Sequence, residues 1–318
     1  MMDQTPPLVS ILINNYNYER FLGDAIDSAL AQTYPSIEVV VVDDGSTDGS
    51  PDLIASYGDQ VKAIYQSNQG QAAAFNRGFA ESQGEIICFL DADDIFHRQK
   101  VEIIVKTWQD NTQAKWYFHP LELFDQDQQS EVVTQSELSI ANQQIQLQDV
   151  RPAMKTGRLG DPFEFAIPPT SGMCFKRELA EKLLPMPSEG GIILNDSYLK
   201  FAALGISSGI TINSKLAYQR IHDRNLFTTA KDNPHNNLKQ QQTNTAIFLS
   251  TAYWLKTQFP SLTKFANNLF AVGLAMNWQL KSSDRKSQIT IQNYYQSSSL
   301  SSLISIYLKS LYKSLLRK

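Results

Sequence analysis

Short apolar runs alternate with amphipathic segments between Leu8 and Leu90. The apolar runs are rich in β-branched residues, which is typical of strands buried on both faces of a sheet. They predict strands at Leu8–Ile13, Ile37–Val42, Val61–Tyr65 and Glu85–Leu90, and helical spacing between them predicts helices at Tyr18–Gln32 and Gln71–Ser82. Strands that alternate with helices in this order indicate an α/β fold with a parallel, doubly wound sheet.

The pattern is less regular after Asp94. It predicts helices at Val101–Trp108, Arg177–Leu184 and Asn195–Leu204, and strands at Lys115–Phe118 and Ser171–Phe175. Residues 125–149 are rich in Gln, Ser and Asp, which favours hairpins or loops, and the Pro and Gly residues of 151–170 favour a long loop. Helical segments with few turn signals follow Asn225. We therefore expect an α/β domain at residues 1–225 and a helical region at 226–318.

Composition narrows the function further. The chain has 318 residues, of which 42% are hydrophobic and 19% charged, so a large core is expected and wholesale disorder is not. The net charge of -4 argues against nucleic acid as the main partner. Cys88 and Cys174 lie in apolar runs and are expected to be buried free thiols. We find neither a signal peptide nor a transmembrane segment in the sequence, which favours the cytoplasm.

Two groups of carboxylates follow predicted strands. Asp43 and Asp44 end one strand, and Asp91, Asp93 and Asp94 end another. Ligands of doubly wound sheets bind at the carboxyl ends of the strands, and so many like charges on one edge need a cation or hydrogen-bond donors. Oxygen ligands suit Mg²⁺ or Mn²⁺, which also bind phosphate, so a nucleotide diphosphate is the expected ligand. The alternatives are an ordinary turn at Asp44 and a helix cap at Asp94.

Several motifs occur together in the order expected for one enzyme family. They are Val9–Asn17, Val41–Asp48, Asn68–Gly78, Phe89–Asp94, Ser171-Gly172 and Asn195-Asp196. With these motifs the sequence resembles the family-2 inverting glycosyltransferases over about residues 8–225. The resemblance implies the GT-A fold, a Rossmann-like, mostly parallel sheet flanked by helices, here with a C-terminal helical appendage. It also implies a nucleotide-sugar donor and a Mn²⁺ or Mg²⁺ cofactor.

The resemblance assigns roles to individual residues. Asp93 would bind the metal, and His222, which lies later in the chain, would be a second metal ligand. Asp196 would be the general base that inversion requires. Asp44 would accept a hydrogen bond from the base, which favours UDP, although dTDP shares the same donor. The remaining residues implied to bind substrate are Asn14, Tyr16, Asn17, Asn68, Asp91, Ser171 and Gly172.

Some of these assignments have structural alternatives. Many relatives carry Glu-Asp where this chain has Asn195-Asp196. Asp196 is also typical of a carboxylate favoured by a helix N-terminus, and Glu189 is the nearest substitute base. His222 is either a ligand or a structural histidine. Arg220 either contacts phosphate or is solvated, and Arg77 either lies near the diphosphate or forms a surface salt bridge.

The C-terminal segment is amphipathic and basic. Apolar residues recur at helical spacing from Leu300 to Leu315, Lys309, Lys313 and Arg317 form a row, and no acidic residue follows Asp284. Such a helix either lies on an anionic membrane, on the inner face of the cell membrane, or packs on the catalytic domain or a second subunit. The membrane alternative suits a lipid-linked acceptor rather than a free saccharide, as in bacterial cell-surface polysaccharide or glycolipid synthesis.

Two other functions compete with glycosyl transfer. A sugar nucleotidyltransferase usually has a Gly-rich basic loop after the first strand, whereas this chain has Asn14–Glu19 there. A catalytically inactive nucleotide-sugar-binding module would not need both Asp93 and Asp196. The sequence therefore favours a metal-dependent glycosyltransferase.

Overall fold

The computed structural model describes residues 6–125, 144–158, 165, 167–187, 195–222, 234–282 and 284–316. Contacts divide the chain into two compact units. The first comprises Met1–Asp149, Phe165–Met186 and Ser207–His222, and the second Val150–Glu164, Pro187–Ile206 and Asp223–Lys318. The division at residue 225 into a catalytic domain and a helical region remains a prediction.

The strands of the described residues all lie in the first unit. They are β1 Val9–Asn15, β2 Ile37–Asp43, β3 Lys62–Tyr65, β4 Ile86–Asp91, β5 Ile95–Phe96, β6 Trp116–Phe118, β7 Leu121–Asp125, β8 Ile145–Gln148, β9 Met173–Lys176, β10 Gly209–Ile212 and β11 Ala217–Ile221.

The α-helices are distributed over both units. They are α1 Glu19–Leu30, α2 Ser50–Ser56, α3 Gln71–Glu81, α4 Lys100–Asp110, α5 Arg151–Thr156, α6 Arg177–Leu183, α7 Asn195–Ile206, α8 Pro234–Gln258, α9 Thr263–Leu280, α10 Arg285–Gln296 and α11 Leu300–Leu316. Of these, α5, α7 and α8 to α11 belong to the second unit.

A large mixed sheet forms the centre of the first unit. Its strand order is β3-β2-β1-β4-β9-β6-β10-β8 among the described residues. The strands β3, β2, β1 and β4 are parallel, β9 runs antiparallel between β4 and β6, and β10 is parallel to β6. A smaller sheet has the order β5-β11-β7. The expected α/β fold with a mostly parallel sheet is confirmed.

Burial of the central strands explains why their sequences are continuously apolar. Nearly every side chain of β1 and β4 is buried, as expected where helices cover both faces of a sheet. Helix α1 contributes Phe21, Leu22 and Ile26 to the core on one stripe. Cys88 and Cys174 lie opposite each other on β4 and β9 as buried free thiols, which confirms the expectation.

The second unit is helical in its described residues. Helices α8 and α9 pack along each other, and α10 contacts them through the ring of Tyr294, which stacks on Phe270 at a centroid distance of 3.7 Å. The Tyr294 hydroxyl donates to Asn267 Oδ1 at 2.8 Å, so its polar end is satisfied inside the bundle. None of the helices described is long and apolar enough to cross a membrane.

The structure differs from the prediction at one loop and at the start of one strand. Residues 151–170 were expected to form a loop, but Arg151–Thr156 is helix α5. Pro152 lies in its first turn, where proline fits a helix, and Gly157 ends it with a φ of +83°. The strand expected at Ser171 begins only at Met173, because Thr170–Gly172 is a 3₁₀ turn. The hairpins expected at 125–149 mostly lie outside the described residues, although β8 is a strand.

We predict that alanine substitutions at two glycines have opposite effects on stability. A Cβ at Gly209 would lie 2.0 Å from the ring of the buried Trp116, so Gly209→Ala should destabilise the fold by about 1–3 kcal/mol. Gly23 lies inside α1 with 3.7 Å to the nearest atom, so Gly23→Ala should stabilise it by roughly 0.5–1 kcal/mol. Urea unfolding measures both, and equal effects would contradict the packing at Gly209.

Candidate functional site at the carboxyl edge of the sheet

The ends of three parallel strands lie side by side in the first unit. Asn15 at the end of β1 is level with Asp43 at the end of β2, and Asn14 is level with Asp91 at the end of β4. The backbone N–H of Asp44 donates to the Asn15 carbonyl at 2.8 Å. Both groups of carboxylates predicted from the sequence therefore lie at the same edge, with β1 between them.

The Asp44 carboxylate is buried and organises the loop that follows β3. It accepts hydrogen bonds from the backbone N–H of Gln69 at 2.9 Å, the backbone N–H of Gly70 at 2.7 Å and Nε2 of Gln66 at 2.7 Å. An ionised carboxylate has about four acceptor positions. Three protein donors thus leave room for one more donor at Asp44.

Asp43 and Asn17 join the loops after β1 and β2. Asp43 Oδ1 accepts from Asn15 Nδ2 at 2.7 Å and from the Ser46 hydroxyl at 2.5 Å. Asn17 has a φ of +59°, and its Oδ1 accepts from the backbone N–H of Thr47 at 2.7 Å. Asp43 was expected to need a cation or hydrogen-bond donors, and these donors come from Asn15 on the neighbouring strand and from Ser46 in the following turn.

Beside these fixed groups, other predicted site residues are open to solvent or unpaired. The Tyr16 side chain is 46% exposed, and Asn68 is exposed. Within the described residues, Oδ1 of Asn14 is buried without a hydrogen-bond partner. Buried polar atoms usually have a partner, so this amide oxygen keeps an unused acceptor position at the end of β1.

The residues after β4 form a tight acidic turn. The backbone N–H of Asp94 donates to the Asp91 carbonyl at 3.1 Å, and the Asp91 carboxylate accepts from Gln71 Nε2 at 3.1 Å. Asp93 Oδ2 lies 2.9 Å from Nε2 of His222, which follows β11. The structure therefore brings Asp93 and His222 together, as the resemblance implied, although their roles remain predictions.

Asp94 is the last residue of this turn, and its side chain is buried. One carboxylate oxygen lies 2.6 Å from the Ser171 hydroxyl, and the other accepts from the backbone N–H of Arg220 at 3.3 Å. Burial, followed by the neighbouring charges of Asp93 and Asp91, raises the Asp94 pKa well above its usual value. The suggestion that Asp94 caps a helix is wrong, since the residue before α4 is Gln99.

Ser171 and Gly172 lie next to the Asp91–Asp94 turn. The Ser171 hydroxyl accepts from the backbone N–H of Asp91 at 3.1 Å, and its carbonyl accepts from Lys100 Nζ at 2.7 Å. Lys100 is buried with its ammonium 3.4 Å from the Phe96 ring centroid, and burial lowers its pKa. A Cβ at Gly172 would lie 2.5 Å from the His119 carbonyl, so only glycine fits there.

The ring of Phe21 lies against Arg220 of β11 and against His222, which follows that strand. The rings of Phe21 and His222 lie 4.7 Å apart, and the Arg220 guanidinium lies 4.9 Å from the Phe21 ring. Arg220 is buried, pairs with Asp24 Oδ2 at 2.5 Å and donates from Nε to the Asp93 carbonyl at 3.2 Å. It is therefore not a solvated arginine, and it supports the turn that carries Asp93.

Arg77, the other arginine with two alternative roles, forms a surface salt bridge. Arg77 pairs with Glu81 one helical turn later, at 3.1 Å. The salt bridge that was one of its two expected roles is present.

The Asp93–His222 pair suits a divalent cation. Asp93 Oδ2 and His222 Nε2 lie 2.9 Å apart, at hydrogen-bond distance, and a carboxylate and a neutral imidazole are both side chains that can bind a divalent cation. In the part of the chain that the structure describes, no group of three His, Cys, Asp or Glu side chains forms a complete metal site. Such ions commonly take one or two protein ligands and complete their shell with water and substrate phosphate.

The proposed general base lies in the second unit. Asp196 is the second residue of α7, is 8% exposed and pairs with Lys200 Nζ at 2.8 Å, one turn later on the same helix. Its role as a base remains a prediction. Glu189, the substitute considered from the sequence, lies outside the described residues.

Comparisons with known proteins identify sequence relatives. The family model described as "Glycosyl transferase family 2" matches residues 10–184. An uncharacterized glycosyltransferase of Nostoc sp. is 37% identical over 226 residues, which are 70% of this chain and 67% of that protein. An uncharacterized glycosyltransferase of Rickettsia typhi is 45% identical over 96 residues, 30% of either chain. The match thus spans about two thirds of the first relative and less than a third of the second.

Solved structures share the fold at low sequence identity. S. aureus TarS 1-349 in complex with UDP-GlcNAc has a TM-score of 0.54 and 14% identity, covering 86% of this chain and 73% of that one. The mannosyltransferase PcManGT from Pyrobaculum calidifontis, in complex with GDP-Man and Mn²⁺, has a TM-score of 0.50 and 17% identity, with coverage of 99% and 89%. These likenesses establish the GT-A fold expected from the sequence.

We predict that two substitutions of Asp94 differ in stability. Asp94→Asn keeps an oxygen for the Arg220 N–H and offers an amide N–H to the Ser171 hydroxyl, so the fold should lose little stability. Asp94→Ala removes both carboxylate oxygens and leaves the buried Arg220 N–H unpaired, which should cost about 1–3 kcal/mol. Chemical unfolding of the two variants tests this, and equal losses would show that the site needs a charged carboxylate.

Proposed function

The chain belongs to glycosyl transferase family 2, and on that premise we propose that it transfers a sugar from UDP to an acceptor hydroxyl with inversion. The observation that carries the proposal is the pairing of two features at one sheet edge. Asp44 has an unused acceptor position on one side of β1, and the Asp91–Asp93 turn lies on the other. A nucleoside diphosphate has complementary groups, a base with a donor and an anionic diphosphate.

We propose that Asp44 and Tyr16 bind the base. The remaining acceptor position of Asp44 suits the N3–H of uracil, and the exposed ring of Tyr16 offers a surface for stacking. Asn14 Oδ1, buried without a partner in the described residues, suits a second donor of the nucleoside. Thymine carries the same N3–H, so binding measurements have to separate UDP from dTDP.

We propose that Asp93 and His222 hold Mn²⁺ or Mg²⁺. When bound, the ion would neutralise the charge that develops on the departing diphosphate. Asp91 lies beside this pair with its carboxylate held by Gln71, which suits a contact to the ribose or to metal-bound water. The support for a metal is the donor set, a carboxylate and an imidazole side by side.

We propose that Asp196 accepts the proton of the acceptor hydroxyl. The hydroxyl oxygen forms a bond to the anomeric carbon as the bond from that carbon to the diphosphate oxygen breaks, and the proton passes to the carboxylate. Attack opposite the leaving group inverts the anomeric centre. The Lys200 ammonium at 2.8 Å keeps the Asp196 side chain in place on α7.

We propose a saccharide or a lipid-linked saccharide of the bacterial cell surface as the acceptor. The support is the bacterial origin of the similar sequences and the apolar, basic C-terminal helix.

We predict that nucleotide binding depends on metal through Asp93. UDP with Mn²⁺ should raise the melting temperature of the wild-type protein more than GDP, CDP or dTDP does, since a ligand of the folded state stabilises by mass action. Asp93→Ala should abolish the increment that Mn²⁺ adds. Asp110→Ala removes an exposed carboxylate at the end of α4 and should leave that increment unchanged. An undiminished increment in Asp93→Ala would remove Asp93 from the metal site.

We predict that Asp196→Asn separates catalysis from binding. The amide keeps the shape of the side chain but cannot accept the proton, so kcat should fall by about 10²–10⁴ while the UDP-sugar Kd stays near the wild-type value. Lys200→Met is the matched control, because it breaks the ion pair and keeps the carboxylate. Normal turnover in Asp196→Asn would show that Asp196 only stabilises α7. Binding without turnover in the wild type would favour an inactive binding module.

A further inference from the structure

Helix α11 in the second unit turns its apolar side outward. Its buried residues are Ile306 and Ser310, one turn apart, and this side packs against α9. Seven large apolar side chains on the opposite side are 43–75% exposed and form what we call the α11 apolar face: Leu300, Ile304, Tyr307, Leu308, Leu311, Tyr312 and Leu315. A helix of a globular protein normally buries such residues and exposes its serines, so this face has the reverse orientation.

The α11 apolar face is a continuous stripe. From Leu300 to Leu315 it spans about 22 Å at the α-helical rise. It continues onto α9 and α10, because Trp278 and Tyr295 join Tyr307 in lining an apolar cavity of about 570 Å³. Scattered exposed apolar residues need no explanation, but a contiguous patch of this kind marks an interaction surface.

The charge of residues 285–318 indicates which kind of partner suits this face. Residues 285–318 contain six of the 28 Lys and Arg residues of the chain and none of its 32 Asp and Glu residues, although the whole chain is acidic. Lys313 is half-buried in the last turns of α11, and Lys309 is exposed and donates to Asn268 Oδ1 at 2.6 Å. Each follows a buried residue, Ile306 or Ser310, by three positions, so both lie toward the α9 side of the helix, and the apolar stripe itself carries no charged side chain.

We propose that the α11 apolar face docks on a lipid bilayer that contains anionic lipids. The leucine and isoleucine side chains would enter the boundary between headgroups and acyl chains, where an amphipathic helix buries its apolar face. The tyrosines and Trp278 are side chains with an apolar body and a polar end, which suits the interface. The positive charge of residues 285–318 would attract the anionic headgroups.

The alternative occupant is a second copy of this chain. A symmetric dimer through this face would bring two segments together that each carry six basic and no acidic residues, so their charges would repel. An anionic bilayer offers the opposite charge and an apolar layer. This proposal does not depend on the proposed transfer reaction, since it uses residues of the second unit only.

The test is flotation of the full chain with vesicles of phosphatidylcholine, with and without phosphatidylglycerol. The wild type should bind the anionic vesicles and bind phosphatidylcholine alone much more weakly. Leu308→Gln with Leu311→Gln should weaken binding by at least about tenfold, because two apolar side chains no longer leave water. Lys313→Gln should weaken it by about fivefold, since each basic residue near an anionic surface contributes on the order of 1 kcal/mol.

The matched control is Leu123→Gln on β7, which changes a leucine of similar exposure, 56% against 59% for Leu308. It should bind vesicles as the wild type does. Circular dichroism and the UDP-dependent melting shift check that each variant is folded and show whether nucleotide binding fails independently. Equal binding to both vesicle types, or binding to neither, overturns the proposal. A wild-type dimer that the double leucine variant converts to monomer, without vesicle binding, assigns the face to a second copy.

Discussion

The buried Asp94 carboxylate connects the three elements that build the site. It lies three residues after β4 ends, and its oxygens accept from the Ser171 hydroxyl of the 3₁₀ turn and from the backbone N–H of Arg220 on β11. These partners are 77 and 126 residues away in the chain. Ser171 in turn accepts from the Asp91 N–H, and Arg220 donates to the Asp93 carbonyl. The positions of Asp91 and Asp93 therefore depend on a group that need not touch a ligand, and its burial is compensated by these hydrogen bonds.

Much of the fold could be predicted from the sequence because its central strands are buried on both faces. The apolar runs ending at Val42 and Leu90 are short and β-branched, which favours buried strands. Strands β2 and β4 end within one residue of these predicted positions. The prediction failed where one residue type has two uses. Pro152 was taken as a loop signal, yet in the first turn of α5 proline is compatible with a helix. Strand order was also beyond the local pattern, since β9 enters the sheet between β4 and β6 by long-range pairing.

The candidate site was predicted in part, and the parts that were missed have a common cause. Carboxylates directly after an apolar run are visible in one sequence, so Asp44, Asp91 and Asp93 could be named. Lys100 was missed, and Arg220 was named without its contact to the Asp93 carbonyl, because both act through partners from distant segments that no local signal records. Lys100 illustrates the difficulty, because a lysine at the start of a helix is usually solvated, whereas this one is buried against Phe96.

The last two strands of the first unit lie beyond the segment that the family model matches, which ends at residue 184. Strand β10 pairs with both β6 and β8 in the large sheet, and β11 is the central strand of the small one. A minimal domain cut at the family boundary would lose both strands together with Arg220 and His222, and it would expose the edge of β6. The smallest fragment that retains this site must therefore extend at least to His222, so the end of the family match is not the end of the compact unit that carries the site.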